Sequence, residues 1–597
     1  MKSYKLTTAV IALVVGSLTI YSCADLAVDN VNEPGREDVL ADIENTLSVL
    51  DGAYSQVLTG MVNSWGSHPN MLADQNTSTN LFRQYWDFAE EPRVRMNNTT
   101  AYSATGAFTS LWGSANSGVA SANFILSTIN VDGVDYIVGG EDLTQQTLAN
   151  AYFLRGLGRG YIGLVYDQGY LIDEDFDEEA TDPTDIEFSP YDEIIQAAVA
   201  DIEQAIQIVE NLGGNYTFDM LPSSDDSWNS AEFIDIANSF AARFLAGSAR
   251  TPEERDQVDW QQVLNYADAG LGGPNSQSGL RDFTGSNVSG GEFANYMTDW
   301  LNFIVACQGA TLDTCSGYNP LDVKVIHTLD PTYPTEYPAE HAGGSATLDP
   351  GESDDPRINY FQYTTNPGFL DRNRNANLFS NYFSLRQWAG NDWWAPQWGV
   401  TLFTDVEVQM LRAEAHLMLG NNLETANILN ESPAGDGQIS LSIGLPFSQT
   451  FGQPDGFSGG HTYTGVESME EFMWALHREY TVELNTLGAY GLQWYFMRRH
   501  DLLQPGTPTH FAVPGQELEQ LQRSNYTFGG VEAAGQPGTA AGNNSWKNLA
   551  EAAGFETSKT AGEQQYGSES NNIVEGTDME FILNGNISTG NEVRKNQ

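Results

Sequence analysis

Positive charge is scarce in this chain of 597 residues: 26 lysines and arginines stand against 79 aspartates and glutamates, giving a formal net charge of −53. Sequence-independent nucleic-acid binding needs cationic side chains that displace counterions from phosphates, so this balance argues strongly against it. The same scarcity argues against docking on anionic lipid through a basic patch. A lysine-poor, acidic surface stays hydrated in salt, which favours a marine or halophilic source; the alternative is an ordinary acidic secreted protein.

Cysteine is also rare, with Cys23, Cys307 and Cys315 as its three occurrences. Cys307 and Cys315 lie close together in sequence and could form a loop disulfide in an exported protein. A two-ligand metal site is the weaker alternative, because no histidine lies near them.

Familiar catalytic and metal motifs are missing from the sequence. It contains no His-Glu-x-x-His, no phosphate loop of the Gly-x-x-x-x-Gly-Lys type and no Gly-x-Ser-x-Gly nucleophile elbow. Aspartate-rich loops could hold Ca²⁺ through oxygen ligands, although no twelve-residue calcium loop occurs. We expect no other cofactor.

The one long apolar run lies at the N-terminus. Two lysines within Met1–Lys5 precede the apolar run Leu6–Ile20, which is shorter than the roughly 20 residues that a membrane span needs. A charged start followed by a short apolar core is typical of a secretory signal peptide. We therefore predict that residues 1–22 are removed.

Cys23 stands where a bacterial lipobox has its acylated cysteine, and Ile20 and Ser22 fit that pattern, whereas Tyr21 is unusual. Acyl chains would bury about 0.8 kcal/mol per CH₂, and more than one chain gives a stable anchor. The alternative is an ordinary signal peptide followed by an accidental cysteine.

Helical periodicity dominates the rest of the chain. Apolar stripes at spacings of three and four predict neighbouring pairs of amphipathic helices, which suggest tetratricopeptide-like hairpins without a strict repeat. The predicted pairs are 111–130 with 146–166, 191–211 with 231–248, and 401–419 with 422–430. Long polar loops over 273–298, 313–400 and 431–466 are of the kind that usually carries function. The tail after Ser524 is predicted to be irregular.

Several stretches resemble the SusD/RagB family and occur in the family's order. They are Ala151-Tyr-Phe-Leu-Arg-Gly-Leu157, Asp201-Ile-Glu-Gln-Ala205, Asp355-Pro-Arg357, Phe403 to Ala415 and His477 to Leu484. His477, Asn485 and Leu487 depart from the family's usual residues.

This resemblance implies a mostly α-helical SusD-like fold with tetratricopeptide-like helix pairs and long irregular loops. It divides the mature chain into an N-terminal helical region, 23–250, and a C-terminal region, 251–597, with loops facing the ligand and an irregular tail. It also implies a lipid-anchored protein of the outer membrane that faces the cell exterior. The implied partner is a SusC-like TonB-dependent transporter.

Charged residues interrupt otherwise apolar helices. Charges are rarely buried unless they are paired, so we predict structural ion pairs for six of them. They are Arg155, Arg412, Glu414, Arg478, Glu479 and Glu483. Catalysis is the alternative use of the carboxylates, but the two acids of a glycosidase usually come from different elements.

Aromatic residues are concentrated in two loop-like segments, which makes them candidate ligand contacts. A ring face can stack on a sugar while nearby polar groups bind its hydroxyls. The first cluster is Trp388, Trp393, Trp394 and Trp398; the second is Trp65 with Tyr85 and Trp86. Core packing and contact with the transporter are the alternatives for both.

The leading hypothesis is a non-enzymatic lipoprotein that captures an oligosaccharide, or less readily a peptide, and passes it to the transporter. A glycan-active hydrolase on a helical scaffold and a helical scaffold without a small ligand are the alternatives. No motif in the sequence names the nutrient.

Overall fold

A computed structural model describes most of the chain between residues 43 and 543. The described segments are 43–62, 64–78, 82–176, 180–219, 227–280, 282–285, 318–335, 348–353, 355–365, 380–384, 400–431, 462–485 and 491–543, with 549 and 552. Contacts group Met1–Ser48 as one unit and Val49–Gln597 as another. None of the described helices is long and apolar enough to cross a membrane.

Eight of the described helices precede residue 256. They are α1 (Ile43–Val62), α2 (Ser67–Leu72), α3 (Tyr85–Ala89), α4 (Gly106–Asn130), α5 (Thr144–Val165), α6 (Tyr191–Leu212), α7 (Ser230–Gly247) and α8 (Pro252–Arg255). Helix α5 packs on α4, α6 and α7. Nearly every residue of α5 is buried, so this helix is the centre of the N-terminal half.

Glycines on α5 allow three helices to approach its backbone. A Cβ on Gly158 would lie 2.8 Å from the carbonyl oxygen of Ala115 in α4, and one on Gly163 would lie 3.1 Å from that of Tyr191 in α6. A Cβ on Gly160 would overlap the ring of Phe244 in α7. The absence of side chains at these positions therefore sets the close spacing of the helices.

Seven more described helices follow. They are α9 (Trp260–Asp268), α10 (Val323–His327), α11 (Asp405–Met418), α12 (Asn422–Glu431), α13 (Met469–Val482), α14 (Leu492–Arg499) and α15 (Gly515–Gln520). Helix α11 packs on α7, α9, α12 and α13. It therefore joins the part of the chain before residue 250 to the part after it.

The predicted helix pairs are confirmed, with one correction at the start of α11. Sequence periodicity predicted a helix from residue 401 and counted Phe403 in its stripe. The helix begins instead at Asp405, because the Thr404 side chain accepts a hydrogen bond from the Glu407 backbone N–H and caps it. Phe403 lies in the preceding strand.

Strands are short and form five antiparallel two-stranded ladders in the described part of the chain. They are β1 (Ile137–Val138) with β2 (Glu141–Asp142), β3 (Gln168–Gly169) with β4 (Ser189–Pro190), β5 (Thr217–Phe218) with β6 (Trp228–Asn229), β7 (Asp282–Gly285) with β10 (Val400–Thr404), and β8 (Phe361–Tyr363) with β9 (Tyr382–Ser384). In the β7–β10 ladder, Gly285 opposes Val400 and Asp282 opposes Thr404. The fold is therefore mostly α-helical, with strands that fasten loops.

Sequence signals at helix starts explain where two long helices begin. Asn229 and Glu232 form a capping box before α7, and Ser468 with Glu471 forms one before α13. Each box satisfies backbone N–H groups that the first helical turn leaves without partners.

A second apolar cluster lies under the loop-rich middle of the chain. It is built from buried residues of α10 and the β8–β9 ladder, and Val482 at the end of α13 packs with them. Tyr333 and Tyr382 meet edge to face there, with ring centroids 5.9 Å apart. The cluster forms an apolar core for the irregular segments of the middle region.

Candidate functional site

Seven of the predicted site residues lie outside the described part of the chain. They are Cys23, Cys307, Cys315, Trp388, Trp393, Trp394 and Trp398. The predictions of lipidation, of a disulfide and of a four-tryptophan binding segment therefore remain predictions. Trp65, Tyr85 and Trp86 lie within the described residues.

Trp65 and Arg83 come together from two separate short turns. Trp65 lies in the 3₁₀ turn Ser64–Gly66 before α2, and Arg83 lies in the turn Phe82–Gln84 before α3. The Arg83 guanidinium carbon is 4.4 Å from the centroid of the Trp65 ring, and both side chains are half-buried. We call Trp65, Arg83 and Gln84 the Trp65 patch; it combines an aromatic face with a cation and an amide.

His68 is buried beneath the two turns and contacts one backbone carbonyl of each. Its Nδ1 lies 2.8 Å from the carbonyl oxygen of Trp65, and its Nε2 lies 3.0 Å from that of Arg83. Burial lowers the pKa of His68 to about 4, so the ring is neutral at pH 7 and only one nitrogen carries a hydrogen to donate. The imidazole also stacks on Trp65, with ring centroids 5.5 Å apart and planes 15° apart.

The backbone of the patch is held in an unusual conformation. Arg83 and Gln84 both have positive φ, 50° and 53°, which side-chain-bearing residues rarely adopt. Gln84 Nε2 donates to Ser103 Oγ at 2.9 Å and fastens the turn from the other side. Strained residues held by surrounding contacts cluster at ligand sites, so this geometry supports a binding role.

Gly106, the first residue of α4, lies directly against the Trp65 ring. A Cβ there would overlap the indole. The ring is therefore seated on bare backbone, and any side chain at position 106 would displace it.

Tyr85 and Trp86 are placed differently from Trp65. Tyr85 is fully buried and packs against His68 with ring centroids 4.9 Å apart, so burial makes it part of the core and removes it from the accessible ligand contacts. Trp86 is half-buried, and its Nε1 has no acceptor among the described residues. Of these three described candidates, Trp65 alone therefore lies in an assembled surface patch.

The turn that contains Ser103, the hydrogen-bond partner of Gln84, also contributes Thr99 and Thr100 to a polar cleft of about 420 Å³. Tyr102 OH donates to Asp87 Oδ2 at 2.7 Å beside the patch, and the Tyr102 backbone N–H donates to the Thr99 carbonyl. The cleft is lined by hydroxyl, amide and charged side chains together with one glycine: Thr99, Thr100, Gly515, Glu519, Gln522, Arg523 and Asn525. Such a lining suits the hydroxyl groups of a sugar.

Asn98 makes the wall of the cleft rigid. Its buried Nδ2 donates to the carbonyl of Val513 at 2.9 Å, and its Oδ1 accepts from the Gly515 backbone N–H at 3.0 Å. Asn525 Nδ2 donates to the Asn98 carbonyl at 2.7 Å. No pattern in the sequence predicts this cleft, because its two walls lie more than 400 positions apart.

Arg155 in α5 lies at the centre of an ion-pair network. It binds Asp201 of α6 through Nε at 3.0 Å and Nη2 at 2.7 Å, and its Nη1 lies 2.5 Å from Glu174. Arg159, one turn further along α5, also binds Asp201, at 2.8 Å. The network fastens α5 to α6.

Arg357 collects three carboxylates between the middle region and α13. It lies 2.8 Å from Asp355, 2.9 Å from Glu479 and 3.3 Å from Glu483. Arg478 binds the same Asp355 at 2.8 Å. Glu479 and Glu483 are completely buried and share one guanidinium, an arrangement that fits structural ion pairing.

The remaining two predicted charges also form ion pairs. Glu414 binds Arg499 Nη2 at 2.5 Å and His500 Nε2 at 2.7 Å. Burial alone would raise the pKa of Glu414, but Arg499 and His500 outweigh it and bring the value to about 2. Arg412 binds Asp268 at 2.6 Å in a more exposed position.

Sequence reasoning missed a buried charge cluster formed by distant segments. Oxygen atoms of Asp74, Glu91 and Asp322 lie within 4.8 Å of one another, the spacing of a cation site. Lys324 already supplies the cation: its Nζ lies 2.5 Å from Glu91 and 3.2 Å from Asp322. Arg93 adds a second positive charge at 2.6 Å from Asp74, so the cluster is an ion-pair network rather than a fit for calcium.

The paired helices and the short turns between them define a class of architecture: a mostly helical scaffold that carries aromatic and polar groups on its surface turns. No known sequence family and no curated protein sequence matches the chain.

Solved structures of similar shape belong to the SusD superfamily. A SusD superfamily protein from Parabacteroides distasonis is similar with a TM-score of 0.51 and 12% identity, covering 80% of this chain and 97% of its own. A SusD homolog from Bacteroides thetaiotaomicron has a TM-score of 0.48 and 14% identity, with coverages of 83% and 98%. A SusD-like carbohydrate-binding protein from Bacteroides vulgatus has a TM-score of 0.46 and 14% identity, and the match covers 77% of this chain and 84% of that protein. The similarity to the Parabacteroides distasonis structure shows that the chain has a SusD-like fold.

Proposed function

We propose that this protein binds an oligosaccharide at the Trp65 patch and in the neighbouring polar cleft. The observation that carries the proposal is the Trp65–Arg83 pair, 4.4 Å apart, held at the surface by His68 and by a strained turn. An aromatic face stacks on the C–H face of a sugar ring, while guanidinium and amide groups bind its hydroxyls. The SusD-like fold supports the same function.

We further propose that Cys23 is acylated and anchors the protein on the outer surface of the outer membrane. A SusC-like TonB-dependent transporter would then receive the captured glycan. The charged start, the apolar run Leu6–Ile20 and Cys23 support the anchor. Incorporation of labelled fatty acid by the protein, and its loss in Cys23→Ser, tests it; equal labelling of both proteins would contradict it.

Calorimetric titration with a panel of neutral and acidic oligosaccharides tests the binding proposal. We expect saturable binding to at least one glycan, and a loss of about 10-fold in affinity in Trp65→Ala, because one aromatic contact contributes about 0.5–1.5 kcal/mol beyond the area it buries.

Tyr152→Ala is the matched control for that titration. Tyr152 is also a half-buried ring next to an arginine, with Arg155 5.3 Å from its centroid, but it lies on α5 away from the patch turns. The affinity of the Tyr152→Ala protein for the glycan should equal that of the wild type. Equal losses in both variants, or no binding to any glycan of the panel, would contradict the proposal.

A further inference from the structure

Arg250 and Arg498 differ from the other buried arginines described. Both are almost completely buried, 2% and 1% exposed, yet among the described residues no carboxylate forms an ion pair with either guanidinium. Arg243 and Arg357, by contrast, each bind buried glutamates. Two buried cations without direct counter-ions are costly unless something else compensates them.

Each of the two arginines is tied to backbone carbonyls at the end of a helix. Arg250 Nη2 donates to the carbonyls of Gly163 at 2.6 Å and Tyr166 at 2.8 Å, at the end of α5. Arg498 Nη2 donates to the carbonyl of Gly247 at 2.7 Å, at the end of α7. Helix C-termini carry partial negative charge, so these contacts compensate part of the positive charge.

The two side chains belong to one cluster. Arg498 binds the carbonyl of Gly247, only three residues before Arg250 in the chain. Arg250 lies 3.5 Å over the ring of Tyr191, whose centroid is 6.5 Å from that of His510. Burial and the two arginines hold the pKa of His510 well below its usual value, so the imidazole adds no third charge.

The acidic groups nearest to this cluster are engaged elsewhere. The Glu254 carboxylate accepts from the Arg250 backbone N–H at 2.8 Å, not from its guanidinium. Asp167 accepts from Tyr526 OH at 2.9 Å. These carboxylates lower the local positive electrostatic potential, although neither of them binds a guanidinium group.

Three buried N–H positions remain without an acceptor among the described residues: Nε and Nη1 of Arg250, and Nε of Arg498. A buried donor that loses its water without gaining a partner costs roughly 1–3 kcal/mol, and more when it is charged. Several such donors on two neighbouring cations therefore indicate a negatively charged ligand.

We propose that Arg250 and Arg498 bind a small monovalent anion such as chloride within the core between α7 and α14. A halide accepts several N–H groups at once and needs little space. A single negative charge also suits two cations that carbonyls, Glu254 and Asp167 have already partly compensated. The site is separate from the Trp65 patch and does not depend on the proposed glycan binding.

Crystals of the full protein grown in sodium bromide test the site directly, because bromide replaces chloride and scatters anomalously. The expected result is an anomalous peak within hydrogen-bonding distance of Arg250 and Arg498. Bromide peaks confined to other places, or density at these donors without anomalous signal, would overturn the proposal.

Thermal unfolding in solution gives a second test. At equal ionic strength, we expect the Tm of the wild type to be roughly 2–4 °C higher in sodium chloride than in sodium gluconate, and the difference to saturate with concentration. Arg498→Gln should lose this difference, whereas Arg412→Gln, whose ion pair is partly exposed, should keep it. A chloride effect that persists in Arg498→Gln would overturn the proposal; if that variant does not fold, the bromide experiment on the wild type decides.

Discussion

His68 shows how one buried residue can organise a surface site. Its ring lies between the carbonyls of Trp65 and Arg83 and against the rings of Tyr85 and Phe88. A histidine suits this position because its planar ring can stack on Trp65 while the one N–H of the neutral imidazole donates to one of the two carbonyls. The buried His68 ring therefore holds the surface patch in place.

Buried and exposed ion pairs should differ sharply in their effect on stability. Glu414 is completely buried and binds Arg499 and His500, so Glu414→Gln leaves a buried guanidinium without its counter-ion. We expect a loss of about 3–5 kcal/mol in the free energy of unfolding, measured by urea denaturation.

The matched control for that measurement is Arg412→Gln. The Arg412–Asp268 pair is partly solvated, so its loss should cost only about 0–1 kcal/mol. Similar losses in the two variants would contradict the assignment of Glu414 to a buried ion pair that stabilises the fold.

The sequence predicted charged residues on apolar helices but could not predict all their partners. Arg155 and Asp201 belong to helices that the sequence assigned to different pairs, 146–166 and 191–211, so that even this ion pair was visible only in the structure. The cluster of Asp74, Glu91, Asp322 and Lys324 was not predictable either, because its members meet only through tertiary folding of irregular segments. The pairing of Trp65 with Arg83 was likewise visible only in the structure.

At the scale of elements, the central helix α5 depends on glycine. Its glycines lie against the backbone of α4 and α6 and against the Phe244 ring of α7. In an isolated helix each would be destabilising relative to alanine. Their presence in a 22-residue helix is therefore explained by packing rather than by helix propensity.

Two glycine-to-alanine substitutions should have opposite effects. In Gly160→Ala the new methyl group would overlap the ring of Phe244, so we expect a loss of about 1–3 kcal/mol from overpacking. Gly113 lies on the exposed side of α4 with no atom within 4 Å of a new Cβ, so Gly113→Ala should gain about 0.5–1 kcal/mol.

Urea denaturation of the two single variants measures both effects on one scale. A stabilising Gly160→Ala would show that α5 and α7 are not in close contact at this point. The pattern of apolar residues predicted α5 and its neighbours, but periodicity could not show which glycines lie at a helix interface.

Helix boundaries were predicted less well than helix pairs, and α11 shows why. Apolar residues continue from β10 into the helix, so the stripe alone cannot separate Phe403 from Val406. The Thr404 cap and the pairing of β10 with β7 decide the boundary, and that pairing joins residues more than 100 positions apart.

At the scale of the whole molecule, buried histidines make stability depend on pH. Burial lowers the pKa of His477 to about 3 and that of His500 to about 4, below the usual 6.5. As pH falls below 6.5, the unfolded chain takes up protons that these native rings refuse, so the histidines lower the stability. Asp322 acts in the opposite sense, because burial raises its pKa to about 7.

Substitution of one histidine isolates its contribution from these opposing groups. His477→Gln should lose less stability than the wild type between pH 6.5 and pH 4.5, by about 2 kcal/mol, because the glutamine does not titrate. Between pH 7.5 and pH 8.5 the difference between the two proteins should be constant. If the free energies of unfolding of the two proteins, measured by urea denaturation, fall in parallel between pH 6.5 and pH 4.5, this would contradict a low native pKa for His477.

Glycan binding at the Trp65 patch of a SusD-like helical scaffold is the central property proposed for this protein. Its most direct test is a crystal structure of the protein with the tightest-binding oligosaccharide of the panel. We predict a sugar ring in contact with the Trp65 indole, with hydroxyl groups bound by Arg83 or Gln84 or extending into the cleft beside Thr99. An oligosaccharide bound elsewhere, with the Trp65–Arg83 pair untouched, would contradict the assignment.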